Sequence, residues 1–88
     1  MHNIDFRGDA WEDYLYLQKT DKKIIKRIND LIKDISCSPF EGLGHPEALK
    51  GNLSGFYSRH INEKDRLVYR IMDDRIEILS CRGHYEKL

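Results

Sequence analysis

Metal-free cleavage of RNA asks for three kinds of group: a base for the 2′-OH proton, cations at the charged phosphate, and an acid for the leaving 5′-oxygen. The second half of this 88-residue chain holds residue types that meet each demand. A loop running from Gly44 to Arg59 contains Glu47 and Lys50, and His60 follows it. Arg66 comes next, and Cys81-Arg82-Gly83-His84-Tyr85 lies near the C-terminus. An unperturbed histidine titrates near 6.5, so His84 can hold or release a proton near neutrality. Taken singly, these residues also suit blander tasks: a solvated loop carboxylate, a surface strand arginine, a terminal histidine without a role. Other chemistries lack their signatures, since no P-loop, HExxH, CxxC, nucleophile elbow or EF-hand is present. His2, His45, His60 and His84 lack paired ligand spacing, and the cysteines give them no support. No metal and no cofactor is expected.

The elements that must position these groups are readable from periodicity. His2–Arg7 alternates, with Ile4 and Phe6 on one face, as a short strand does. Gly8-Asp9 stops it, and Asp9 followed by Glu12 resembles a capping box that opens a helix from about Ala10 to Lys19. Trp11, Tyr14, Leu15 and Gln18 are its expected inner face. Thr20-Asp21 starts a second helix, in which Ile24, Ile25, Ile28, Leu31, Ile32 and Ile35 recur at three- and four-residue spacing. Ser36-Cys37-Ser38-Pro39 ends it, because proline removes a donor and disfavours helical geometry before it. Residues 39–55 hold both prolines and four of the six glycines and read as an ordered loop. Strands follow at about Phe56–Ile61, Arg66–Met72 and Ile76–Arg82, with links short enough for an antiparallel meander.

The order β-α-α-β-β-β predicts an α+β fold, with both helices on one face of a mainly antiparallel sheet and the other face open. Alternation along the middle strand assigns Leu67, Tyr69 and Ile71 to the helix side. It assigns Arg66, Val68, Arg70 and Met72 to the open side, with the two arginines about 7 Å apart. That pair implies a site for anions.

Composition narrows the rest. Lys plus Arg number 15 and Asp plus Glu number 15, so no basic tail announces nucleic acid and any phosphate-binding surface must be assembled by folding. A chain this short makes a single domain, 1–88, whose one core supplies only about 3–5 kcal/mol. Dimerisation or a partner is therefore expected. Cys37 and Cys81 read as small thiols in a reducing compartment. No leader-like or membrane-spanning window appears, which predicts a cytoplasmic protein.

Several segments together resemble one family. Pro46-Glu47-Ala48-Leu49-Lys50, the run from Asn52 to Arg59, Arg66-Leu67-Val68-Tyr69 and His84-Tyr85 are similar to the YoeB toxins of the RelE/ParE superfamily. So are Asp13-Tyr14, the helix stretch from Ile28 to Lys33, and Pro39-Phe40-Glu41-Gly42. The resemblance runs nearly the whole chain in order and spacing. It implies a RelE-like toxin of a type II toxin–antitoxin system that enters the ribosomal A site and cuts mRNA as an endoribonuclease. It also implies a YefM-type antitoxin whose disordered tail wraps the toxin, operator DNA reached only through that antitoxin, and a homodimer.

By the same resemblance, Glu47 is the general base, Arg66 stabilises the pentavalent phosphate, and His84 is the general acid. Tyr85 would stack on a base or orient the scissile nucleotide. Lys50 would lie near the phosphate, and Arg59 would serve either RNA or the fold. Two features depart from the family. His60 stands where a second arginine is common, which makes phosphate binding pH-dependent. Glu86-Lys87-Leu88 extends past the usual His-Tyr end. Two rivals accompany this reading: a ParE-like gyrase poison without nuclease chemistry, and a binding module acting mainly in an antitoxin–DNA repressor complex.

Overall fold

The computed structural model describes residues 3–83, so the expectations placed on His2, His84, Tyr85 and Glu86-Lys87-Leu88 lie outside the described residues. Strand β1 (Asn3–Phe6) leads into helices α1 (Ala10–Thr20) and α2 (Lys22–Cys37). After a long connection come β2 (Glu47–Ala48), a 3-10 turn at Gly51–Leu53, β3 (Tyr57–His60), β4 (Arg66–Met72) and β5 (Arg75–Ser80). The sheet order is β1-β5-β4-β3-β2. Strands β2 to β5 pair antiparallel, while β1 lies parallel to β5 in the register Ile4↔Ile76 and Phe6↔Ile78. This is the expected α+β architecture with one strand more than expected. The extra strand is β2, two residues long and hidden in the segment that read as loop.

Helix α2 is fixed at its start by Asp21, whose carboxylate accepts the Ile24 N–H at 3.1 Å. Its isoleucine stripe then places Ile28, Leu31 and Ile35 fully out of solvent. They pack with Leu67, Tyr69, Ile76 and Ile78 from the sheet and with Ala10, Leu17 and Cys81. Burial in that core pushes the Cys81 thiol up to about 12, so it stays protonated.

Two local expectations at α1 do not hold. Asp9 adopts helical backbone angles and makes no side-chain cap bond, so no capping box forms. Instead Gly8, at φ 53°, turns the chain and the Ala10 N–H bonds the Arg7 carbonyl at 3.0 Å. That entry aims Ala10, Tyr14 and Leu17 inward, with the Cys81 thiol reaching the Ala10 carbonyl at 3.5 Å. Trp11, Leu15 and Gln18 consequently face outward, and Trp11 rests its ring against Phe6 and Tyr14 at the sheet edge.

The face away from the helices is also less open than alternation predicts. Val68 is fully buried there, and neither it nor buried Leu49 belongs to the main core. Leu53 shares a cleft with Leu79 and Ser80 of β5, the strand beside β4. A bulge contributes: Val68 pairs with Ser80 and Tyr69 with Ile78, which leaves Leu79 as the extra residue.

Candidate functional site

The positioning of Glu47 begins with Arg59. Its guanidinium is fully buried on the helix side of β3. All five N–H groups are used: Nε donates to the Tyr69 hydroxyl, Nη1 to Asp34 and the Leu43 carbonyl, Nη2 to the Ser38 and Glu41 carbonyls. The Tyr69 hydroxyl donates onward to the Pro39 carbonyl at 2.6 Å. Arg59 thus wraps the chain leaving α2 around itself, and the guanidinium holds the Asp34 carboxyl below the usual carboxylate range, with help from the Leu43 N–H. A side chain so occupied cannot meet a phosphate. Of the two roles expected for Arg59, RNA or the fold, this geometry matches the second.

From Leu43 the chain passes Gly44, whose carbonyl accepts the His60 N–H at 2.7 Å. Gly44 has φ 80°, and a Cβ there would sit 3.0 Å from the His60 carbonyl and from Leu31, so only glycine fits. Pro46 then delivers Glu47 into β2, opposite Ser58 of β3. Glu47 is solvent-exposed and shares a cleft of about 340 Å³ with Lys50, Leu49 and Leu53.

Directly paired residues project to the same face of a sheet. Glu47, Ser58 and Val68 form one such row, and His60 with Arg66 forms the next. His60 is half-buried, and burial, Arg66 and His45 hold its imidazole below the usual histidine value while Glu47 opposes them. Arg66 is held through Nη1, which donates to the carbonyls of Asn62, Glu63 and Asp65 at 3.0–3.2 Å. Among the described residues, its Nε and Nη2 take no hydrogen bond.

The β3–β4 turn also fixes the start of the C-terminal segment. Asn62 accepts the Asp65 N–H at 2.7 Å and donates back to the Asp65 carboxylate at 3.0 Å. The same carboxylate accepts the Gly83 N–H at 2.8 Å, while the Gly83 carbonyl accepts the Arg66 N–H at 3.0 Å. The residue immediately before His84 is thereby tied to the strand that carries Arg66. Asp65 was not among the expected site residues; its signal was only its place in a short polar turn.

Four expected residues, Glu47, Lys50, His60 and Arg66, thus gather on one side, and Arg59 does not join them. Arg70 is also withdrawn from the anticipated anion site. Its Nε donates to Glu77 at 2.6 Å, its guanidinium lies over the Phe56 ring, and Glu77 is further held by Arg7 and Arg75. The anion site therefore rests on Arg66 rather than on an arginine pair. Among the described residues no three His, Cys, Asp or Glu side chains converge as a metal site would require.

A model of YoeB-like toxins of bacterial type II toxin–antitoxin systems matches residues 6–85. The chain belongs to the YoeB toxin family. Toxin YoeB of Escherichia coli K12 is 60% identical over 77 residues, 88% of this chain and 92% of that protein. In solved structures, the toxin fold matches the YoeB–YefM complex from Staphylococcus aureus at a TM-score of 0.90 and 50% identity, covering 97% of this chain and 99% of that one. The YoeB dimer from the same organism matches at 0.89 and 52% identity, covering 96% and 98%. The toxin assignment and the α+β fold expected from the sequence both hold. Among the described residues, no helix of the toxin is long and apolar enough to cross a membrane.

Proposed function

We propose that this toxin is a ribosome-dependent mRNA endoribonuclease that cuts by acid–base chemistry at a phosphodiester held on the sheet face away from the helices. The observation that carries the reading is the strand register, which gathers Glu47, His60 and Arg66 while Asp65 and Arg66 pin Gly83. Glu47 removes the 2′-OH proton, and its exposure lets the carboxylate reach substrate. Arg66, with Lys50, stabilises the pentavalent phosphate through the nitrogens its loop contacts leave unused. His84 protonates the leaving 5′-oxygen, and Tyr85 stacks on the neighbouring base. The products carry a 2′,3′-cyclic phosphate and a 5′-hydroxyl.

The toxin works in the cytoplasm at the ribosomal A site, as a homodimer in its resting form, and is silenced by a YefM-type antitoxin. Operator DNA is reached through that antitoxin alone. The dimer and YefM complex of the Staphylococcus aureus relatives support both assemblies. The test is to map cleavage of a translated message with and without ribosomes. Glu47→Ala and His84→Ala should each lower the cleavage rate by about 10²–10⁴-fold. Equal cleavage by both variants and the unmodified toxin would sink the assignment. Inhibition of DNA supercoiling without RNA cleavage would replace it by gyrase poisoning.

A further inference from the structure

His45 has no part in that acid–base scheme, yet its ring meets His60 edge to face, with centroids 6.0 Å apart and planes at 81°. Its backbone lies at φ 52°, a left-handed conformation that side-chain-bearing residues rarely adopt. The hydrogen bond from the His60 N–H to the Gly44 carbonyl fixes the residue just before it. The two imidazoles are therefore held by the fold, one exposed on a loop and one half-buried on β3.

The charges around His60 come from every element that packs on it. Arg66 faces it from β4, His45 and Glu47 from the connection and β2, and Arg27 from α2, with Arg27 Nη2 donating to the His60 carbonyl at 3.3 Å. Three cationic or potentially cationic neighbours oppose one carboxylate. Protonating the His60 imidazole works against Arg66 and Arg27, with His45 placed against the same ring. A phosphodiester reverses that balance, because its single negative charge is fixed from pH 5 to pH 8 and favours every added proton nearby.

We propose that His45 and His60 form a proton-gated phosphate clamp, in which an RNA phosphodiester binds against the paired imidazoles and draws protons onto them from solvent. The ligand class rests on the ribonuclease reading above; the pairing rests on the geometry. No covalent bond changes. Proton uptake on binding and tighter binding at lower pH are one coupling seen from two sides. His60 in place of a permanent cation then gives a site whose grip follows local acidity.

The test uses the full chain and a trinucleotide with a 2′-deoxy sugar at the scissile position, which binds without being cut. Imidazole Hε1 resonances followed from pH 5 to pH 8 should show apparent pKa values for His45 and His60 rising by about one unit with saturating trinucleotide. Fluorescence anisotropy should show affinity rising about tenfold or more from pH 7.5 to pH 5.5. His60→Arg should bind with a smaller pH dependence. His45→Gly, which suits the left-handed backbone and so keeps the fold, should lose part of it too. Unmoved imidazole resonances, absence of trinucleotide binding at every pH, or wild-type pH profiles in both variants would each overturn the clamp. Message cleavage with pH-independent binding would sink the clamp alone, whereas proton-coupled binding without cleavage would sink the nuclease alone.

Discussion

Removing the Arg59 guanidinium would strand the Asp34 carboxylate, the Tyr69 hydroxyl and three backbone carbonyls at once. Arg59→Leu is therefore expected to cost about 3–5 kcal/mol in urea denaturation, the range for breaking a buried pair from one side. Asp34→Asn leaves four of the five acceptors in place and should cost less, about 1–2 kcal/mol. Asp65→Ala should act differently: a modest loss of stability, but a fall in message cleavage of tenfold or more, because Gly83 loses its anchor beside Arg66. Acid titration separates three groups. The His60 imidazole is lowered, so below about pH 6.5 the unfolded chain takes up a proton that the folded chain resists, and stability declines until the folded value is passed. Asp34 and Glu77 are lowered carboxylates, so their stabilisation is complete above ordinary carboxylate values and is lost as pH falls through their folded values. Unfolding free energy against pH should show both declines in the wild type and only the acid one in His60→Asn. The choice between the two roles open to Arg59 could have been made from alternation alone. Neighbours on a strand face opposite sides, so Arg59 and His60 cannot both present to one ligand.

At the scale of elements, helix α2 and strands β3 to β5 were legible because apolar periodicity dictates what each buries. Three features were not. The inner face of α1 depends on how Gly8 aims the chain, which a short, weakly patterned helix does not encode. Strand β2 is two residues long, and its pairing follows from contacts made by Arg59 and Gly44 rather than from its own composition. The burial of Val68 on the side that alternation left open depends on contacts distant in sequence. Gly44→Ala tests how far the site depends on that connection. The added Cβ meets the His60 carbonyl and Leu31 in a left-handed backbone, and the expected cost is about 1–3 kcal/mol by thermal denaturation. Cleavage should fall by more than that stability loss alone explains, since Glu47 is carried by the displaced segment.

For the whole molecule, a single small core sets the terms. Both sheet edges, β1 and β2, are short, and beside the first the chain exposes Ile4, Trp11, Leu15 and Tyr16. Association that covers apolar surface raises stability by mass action. Melting temperature is thus expected to rise with protein concentration, and further with a YefM-type antitoxin; a melt indifferent to both would contradict the assemblies proposed above.

Among the described residues, β1 precedes the other strands in the chain and pairs with β5, which follows them. The chain therefore cannot close its sheet, or lay α1 and α2 on a finished face, while residues 75–80 are still being synthesised. Up to that moment the growing chain is an unassembled helix pair with its apolar stripe uncovered. A toxin built this way stays unassembled until β5 has been made, and becomes a folded toxin only when that strand is available to β1. Nascent chains stopped before residue 75 should remain sensitive to protease, and chains carried past residue 83 and clear of the ribosome should become resistant in one step.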